Sequence, residues 1–179
     1  TARRDAAEAA YRRALAISPA FAGAHFNLAN VLKALSRLDE AVDAYGRALD
    51  ITPDHADAHN NLGNTLYELG RMDEAESAYR CALVFKPDHA DAHYNLGIVL
   101  QETGRHDDAI AAYRRALRVE PEYVPVHVNL GYALQELDKL DEAKAAYRRA
   151  IALSPDYAQA HVNLADTQLQ NGDARAAVA

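Results

Sequence analysis

Apolar residues recur along the chain at a helical spacing, in segments separated by short polar turns. AHNNLGNTLYEL (58–69) and DEAESAYRCALVF (73–85) are two such segments, with the turn GRM between them. Apolar positions three and four residues apart indicate one face of an α-helix, and a glycine-containing turn between two such segments indicates a helix pair. The pattern therefore predicts an all-α protein built of helix pairs.

The same pattern repeats at a fixed interval through the chain. Pro53 and Pro87 lie 34 residues apart, and three markers keep this period: a proline, a tyrosine and the motif H-x-N-L, whose histidines are His25, His59, His93, His127 and His161. Such a period is typical of stacked helical repeats. In this register residues 1–21 are the second helix of a broken repeat, residues 22–55, 56–89, 90–123 and 124–157 are full repeats, and residues 158–179 are an incomplete one. We therefore expect a single array, 1–179, that is a fragment of a longer protein.

Small, large and aromatic residues occupy fixed offsets in each period. In the segment that begins at Ala56 they are His59, Leu62, Gly63, Leu66, Ala75, Tyr79, Ala82 and Pro87. This arrangement resembles the tetratricopeptide repeat family, although histidine stands where that family often has an aromatic residue. The resemblance implies a right-handed α-solenoid of antiparallel helix pairs that acts in protein–protein interaction.

The stretch PDHADAH occurs twice, at 53–59 and 87–93, and two histidines four residues apart could supply half of a metal site. The first histidine of each stretch, His55 or His89, is replaced by an aromatic residue in the other repeats, whereas the second is always present. A metal pair needs both, so we interpret these histidines as packing residues, with a pH-sensitive packing role and a metal as the weaker alternatives. We expect no metal and no cofactor.

Aspartates surround the predicted start of each first helix. Asp54, Asp88 and Asp156 are at positions where an N-cap is expected. Asp57 and Asp91 fall in the first turn, where the helix dipole favours a negative charge.

Each H-x-N-L motif places an asparagine inside a predicted helix, where asparagine is unfavourable. Either it bonds a neighbouring repeat, or its amide is available to clamp the N–H and C=O groups of a peptide backbone. The row resembles the asparagine ladder of O-linked N-acetylglucosamine transferases, which implies that it lines a concave groove and binds an extended polypeptide. The candidate peptide-binding residues are Asn27, Asn61, Asn95, Asn129 and Asn163, with Asn30, Asn64, Asp57 and Asp91 beside them.

Charge and composition narrow the possible partners. The formal net charge of −7 disfavours nucleic acid, and arginines near the ends of the second helices, such as Arg114 and Arg115, are expected on a solvated outer face. The polar, slightly acidic lining of the predicted groove favours Ser/Thr-rich or basic segments. Cys81 replaces an arginine of the other repeats, so we expect it to be exposed. No apolar run is long enough for a membrane span, and a cytoplasmic location is the default.

Two functions fit these features. The first is a non-catalytic module that binds extended or disordered protein segments in its groove, possibly to recruit substrates for a glycosyltransferase. The alternative is a structural module whose unfinished terminal repeats associate head to tail as a homo-oligomer. No arrangement of nucleophile, base or phosphate-binding loop predicts an enzyme within these residues.

Overall fold

The computed structural model describes residues 2–170 and residue 172. Over these residues the chain forms ten α-helices and no β-strand: α1 Ala2–Ile17, α2 Ala22–Ala34, α3 Leu38–Ile51, α4 Ala56–Glu68, α5 Met72–Phe85, α6 Ala90–Glu102, α7 His106–Val119, α8 Val124–Glu136, α9 Leu140–Leu153 and α10 Ala158–Gln170. The helices belong to two compact units, Thr1–Pro87 and Asp88–Ala179, called unit 1 and unit 2. The predicted all-α class is confirmed.

Each unit is a stack of helix pairs. In unit 1, α2 packs mainly on α3 and α4 on α5, while α1 contacts α2 and α3 contacts α4. Unit 2 pairs α6 with α7 and α8 with α9, and α10 packs on α9. The even-numbered helices α2 to α10 are the predicted first helices of the pairs, and α3, α5, α7 and α9 the second helices.

The turn inside each pair depends on one residue with a positive φ. Gly70 and Gly104 have φ values of 74° and 76°, and Ser36 and Asp138 occupy the same place with φ values of 59° and 57°. The backbone N–H of the residue that follows then bonds back into the first helix, as Arg71 does to the carbonyl of Leu66 at 2.9 Å. This left-handed residue ends the first helix and lets the chain reverse direction.

A buried tyrosine on each second helix packs against a small residue on the first helix. Tyr79 and Tyr113 are at most 2 % exposed. A Cβ built on Gly63 would lie 2.6 Å from Cε1 of Tyr79, and one on Gly97 would lie 2.4 Å from Cε1 of Tyr113. The absence of a side chain therefore allows close approach of the paired helices.

The prediction that aspartates cap α4 and α6 is wrong. The N-cap of α4 is His55 rather than Asp54, and the N-cap of α6 is His89 rather than Asp88. The Nδ1 atom of His55 accepts a hydrogen bond of 3.2 Å from the backbone N–H of Ala58. The aspartates precede the N-cap by one residue, because the turn after the proline is one residue longer than the sequence pattern suggested.

The aromatic character of the N-cap position has a packing role, as predicted. The ring of His55 stacks on Phe26 of α2 with centroids 4.8 Å apart, and the ring of Tyr123 packs on Tyr94 of α6 at 5.2 Å. These contacts join one helix pair to the first helix of the pair before it.

The outer faces of the second helices hold many of the ion pairs. Arg12 and Arg80 pair with the glutamates four residues before them, Glu8 and Glu76. Cys81 is exposed, which confirms its predicted position. None of the described helices combines the length and the apolar character that a bilayer crossing requires.

Candidate functional site

The five asparagines of the H-x-N-L motifs all lie in the first helices. Asn27 is exposed, and Asn61, Asn95, Asn129 and Asn163 are half-buried. In unit 1 the helices α2 and α4 contact each other, and in unit 2 the helix α8 contacts both α6 and α10. We call the face of these helices that contains the five asparagines the first-helix surface of each unit.

In unit 1 the amide of Asn61 bonds to the neighbouring first helix. Its Nδ2 donates to Oδ1 of Asn30 at 3.2 Å, and the hydroxyl of Tyr45 donates to the same Oδ1 at 2.5 Å. Burial raises the pKa of Tyr45 to about 12, while a hydrogen bond with Asn61 acts in the opposite direction. Asn61 thus links two helix pairs, as in the structural alternative considered above. The Asn27 side chain, by contrast, makes no hydrogen bond to the described residues.

In unit 2 the amides of Asn129 and Asn163 also have partners within the protein. Nδ2 of Asn129 donates to the hydroxyl oxygen of Tyr94 at 3.3 Å, and Nε2 of Gln159 donates to Oδ1 of Asn163 at 2.6 Å. A primary amide has two donor hydrogens and an acceptor oxygen, so one such bond leaves part of its hydrogen-bonding capacity unused. These contacts orient the amides within the protein.

Asn30 and Asn64 were predicted to line the surface, but their oxygens hold the buried tyrosines. The hydroxyl of Tyr79 donates to Oδ1 of Asn64 at 2.8 Å, as that of Tyr45 does to Asn30. Sequence reasoning missed this role. The sequence does contain an indication of this role, because Asn30 precedes Tyr45 by fifteen residues and Asn64 precedes Tyr79 by the same number.

In unit 2 glutamines replace the asparagines that hold the buried tyrosines. Oε1 of Gln101 accepts from the hydroxyl of Tyr113 at 3.1 Å, and Oε1 of Gln135 accepts from that of Tyr147 at 3.2 Å. These glutamines lie three positions later in their helices than Asn30 and Asn64 do. The longer glutamine side chain therefore reaches back by about one helical turn to the hydroxyl of the buried tyrosine in its own helix pair.

The two candidate aspartates lie in first turns and are exposed. Asp57 is in the first turn of α4 and Asp91 in that of α6. The hydroxyl of Tyr123 donates to Oδ1 of Asp91 at 2.9 Å, and burial, together with this bond, raises the pKa of Tyr123. Asp91 therefore has a structural contact as well as a place at the edge of the first-helix surface.

The first-helix surface contains more carboxylates than cations. In unit 1 the ammonium of Lys33 on α2 lies 3.1 Å from Oε1 of Glu68 at the end of α4. In unit 2 Glu136 of α8 and Asp166 of α10 are exposed, and neither forms an ion pair with another described residue. Over the described part of the chain no group of three or more metal-ligating side chains is present.

Unit 1 also contains a cleft between α1, α2 and α3. This cleft of about 450 Å³ has residues of α2 at its base, including Leu28 and Leu32, and walls from α1 and α3 that include Arg12, Asp43 and Arg47. Its walls contain both signs of charge and its base is almost fully buried. It therefore offers a ligand little apolar area.

The sequence matches four family models described as tetratricopeptide or TPR repeats. The matches cover residues 54–122, residues 29–70 and 136–172, residues 100–149 and residues 10–43. A search of curated proteins found no significant match.

Several solved structures have the same fold. A crystal structure of MamA is 24 % identical with a TM-score of 0.82, over 87 % of this chain and 91 % of that one. YrrB, described as a TPR protein with an unusual peptide-binding site, is 24 % identical with a TM-score of 0.82, over 94 % and 87 %. PilF of Pseudomonas aeruginosa is 23 % identical with a TM-score of 0.82, over 98 % and 89 %. At these identities the likeness establishes the helical repeat solenoid fold alone.

Proposed function

Because the chain belongs to the tetratricopeptide repeat family, we propose that it is a non-catalytic interaction module that binds extended polypeptide segments on the first-helix surface of its units. The description of YrrB as a peptide-binding TPR protein is consistent with this function. The observation on which the proposal rests is that, within each unit, the amides lie on first helices that contact each other.

The spacing of the row suits an extended backbone. Packed helices lie roughly 8–10 Å apart and an extended chain advances about 3.3 Å per residue, so one amide meets about every third ligand residue. Each amide can offer a donor and an acceptor to the peptide backbone without selecting a side chain. If each clamp contributes about 1 kcal/mol and ordering the ligand offsets much of it, the affinity is weak, roughly micromolar to millimolar.

A peptide-binding measurement tests the amide row. The variant Asn61→Ala/Asn95→Ala/Asn129→Ala should lose binding to extended peptides, measured by fluorescence anisotropy, while circular dichroism shows unchanged helicity. The matched control Asp50→Ala/Arg115→Ala removes exposed side chains from second helices and should bind normally. Equal binding by the triple variant and the control would refute the role of the amides.

A single substitution separates binding from internal packing. Asn61 and Asn129 bond to other side chains, so their loss also changes the protein, whereas Asn27 is exposed and makes no hydrogen bond to the described residues. Asn27→Ala should therefore leave the melting temperature unchanged and weaken the binding of peptides long enough to reach α2. A change in stability without a change in affinity would favour a purely structural row.

Recruitment of substrates for a glycosyltransferase is a narrower form of the same proposal. It is supported only by the resemblance of the asparagine row to the ladder of O-linked N-acetylglucosamine transferases. Its first requirement is binding of Ser/Thr-rich segments. Peptides of that composition in the binding assay should bind at least as well as Ala-rich peptides of equal length; weaker binding would argue against it.

Head-to-tail association is the second candidate function. The helix α10 exposes Val162 and Leu169, with 53 % and 55 % of their surfaces accessible, and α1 has no buried residue. Apolar side chains on such faces are available to a second copy. Light scattering should then show a mass that grows with concentration, and Val162→Lys/Leu169→Lys should abolish the growth. A constant monomer mass would eliminate this candidate.

A further inference from the structure

The amide of Asn61 in unit 1 is held through its nitrogen by the first helix before it. Its Nδ2 donates to Oδ1 of Asn30 on α2 at 3.2 Å. The oxygen of the same amide receives only a long contact, 3.5 Å, from Nδ2 of Asn60. An amide oxygen has two lone pairs, so Oδ1 of Asn61 can still accept a hydrogen bond from a ligand.

Unit 2 lacks the asparagine that holds Asn61 in unit 1. The residue of α6 that corresponds to Asn30 is Ile98, whose side chain cannot form a hydrogen bond. Tyr94, one helical turn earlier on α6, supplies an oxygen instead, and Nδ2 of Asn129 donates to it at 3.3 Å. In the other first helices the position of Tyr94 holds Phe26, Asn60, Val128 and Val162. A different residue therefore holds the amide in the same way, through its nitrogen and from the preceding first helix.

Packing fixes the hydroxyl that holds Asn129. The ring of Tyr94 is half-buried and contacts two other tyrosines, with centroids 6.1 Å from Tyr113 and 5.2 Å from Tyr123. Tyr113 is fully buried, and the hydroxyl of Tyr123 is itself bonded to Asp91 at 2.9 Å. Tyr94 therefore has little freedom to move. The amide that it holds retains Oδ1 of Asn129 as an acceptor, which has no partner in the described part of unit 2.

The next amide of the row, Asn163, is held in the opposite sense. Gln159 lies one turn earlier on α10, and its Nε2 donates to Oδ1 of Asn163 at 2.6 Å. Because this oxygen already accepts a short hydrogen bond, Asn163 has mainly its Nδ2 donor to offer a ligand. Unit 2 thus contains one amide suited to accept from a peptide backbone and one suited to donate to it.

We propose that Tyr94 is a positioning residue for peptide binding, which holds Asn129 so that Oδ1 accepts one backbone N–H of the bound segment. The inference rests on the proposed peptide-binding function, because Asn129 belongs to the amide row. Every residue except proline carries a backbone N–H. The segment can therefore have any side chain where it crosses α8, but not proline. At Asn163 the ligand needs only a carbonyl, which proline retains.

A single N-methyl group in the peptide tests this hydrogen bond, since it removes one N–H and keeps the carbonyl. The parent is an uncharged Ser/Thr/Ala peptide of about 12 residues, long enough to cross three first helices. A series of peptides carries the N-methyl group at each residue in turn. Fluorescence anisotropy with the full chain should show binding weakened roughly three- to tenfold when the residue that faces Asn129 is methylated, as expected for one lost hydrogen bond.

Variants locate the effect of the N-methyl group. Asn129→Ala should abolish it, because the group that accepted the N–H is gone, whereas Asn163→Ala should weaken the binding of both peptides and preserve it. Tyr94→Phe keeps the ring and removes only the hydroxyl, so the effect should fall below about twofold. The matched control Tyr132→Phe removes an exposed hydroxyl from α8 and should keep the full effect.

The ratio of the two affinities separates positioning from folding. A purely structural Tyr94 would lower the affinity for the parent and for the methylated peptide equally, so their ratio would not change in Tyr94→Phe. If no methylated peptide binds more weakly than the parent, or if the effect persists in Asn129→Ala or in Tyr94→Phe, the role of Tyr94 is refuted and the peptide-binding function stands. If the parent peptide does not bind the wild type, the proposed function itself fails and this inference fails with it.

Discussion

Nε2 of His59 lies 2.8 Å from the carbonyl oxygen of Pro53, across the turn that precedes its own helix. A carbonyl oxygen only accepts, so the imidazole must donate from Nε2. His25, His127 and His161 make the same bond at 2.8–2.9 Å to Pro19, Pro121 and Pro155. The second histidine of PDHADAH therefore fixes the turn before its helix through a hydrogen bond. This bond is a structural reason for histidine at the position.

Replacing this histidine should destabilise the protein in proportion to its burial. His25→Leu keeps the volume approximately but leaves the carbonyl of Pro19 without its donor, and His25 is only 7 % exposed. We expect a loss of about 1–2 kcal/mol in the free energy of unfolding, measured with urea. His161→Leu, at an exposed copy of the contact, should cost less, because water can replace the imidazole. Equal losses at the two positions would contradict this explanation.

The glycines beside the buried tyrosines should not accept a methyl group freely. Gly97→Ala places a Cβ 2.4 Å from Cε1 of Tyr113, so we expect destabilisation of about 1–3 kcal/mol despite the better helix propensity of alanine. Alanine occupies the equivalent position at Ala29, which indicates that the fold can repack around it. Thermal unfolding by circular dichroism measures the effect.

Gly46→Ala is the matched control for this prediction. Gly46 lies inside α3, and a Cβ there would meet no atom within 4 Å. Its replacement should therefore stabilise the helix by about 0.5–1 kcal/mol. If both alanine variants changed stability in the same direction, steric contact with the tyrosine ring would not be the deciding factor.

Helix pairs and their spacing could be predicted because three residue types keep one period from Pro19 to Pro155. The N-caps could not be predicted, because an aspartate and a histidine occupy adjacent positions in the pattern. The ring nitrogen of His55 caps a helix as a carboxylate can. The roles of the asparagines depend on distances between helices. Asn61 reaches Asn30 only because α2 and α4 pack together, which sequence spacing does not specify.

His106 should contribute less to the stability of the protein than the leucines at its equivalent positions do. It begins α7, where α3 and α9 begin with Leu38 and Leu140, and its Nδ1 is buried without a hydrogen-bond partner in the described part of the chain. A buried unpaired polar atom costs about 1–3 kcal/mol. His106→Leu should therefore raise the free energy of unfolding by about 1 kcal/mol. His127→Leu, which removes a bonded histidine, should lower it.

Stability should fall at alkaline pH because of the buried tyrosines. Burial raises the pKa of Tyr45 to about 12, and burial raises the pKa values of Tyr79 and Tyr147 as well. The unfolded chain loses these protons near pH 10, its usual range, while the folded chain still holds them. The contribution to stability is thus complete below about pH 10 and is lost as the pH rises towards about 12.

Urea unfolding at intervals from about pH 8 to about pH 12 measures this loss. Tyr45 alone accounts for about 2–3 kcal/mol, since each unit of pKa difference corresponds to about 1.4 kcal/mol. Tyr45→Phe removes this titration, so the variant should lose less stability over the same range, even though it is less stable at neutral pH because Asn30 has lost one of its two donors. Identical pH profiles for the wild type and Tyr45→Phe would show that this hydroxyl ionises in the folded protein at its ordinary pKa.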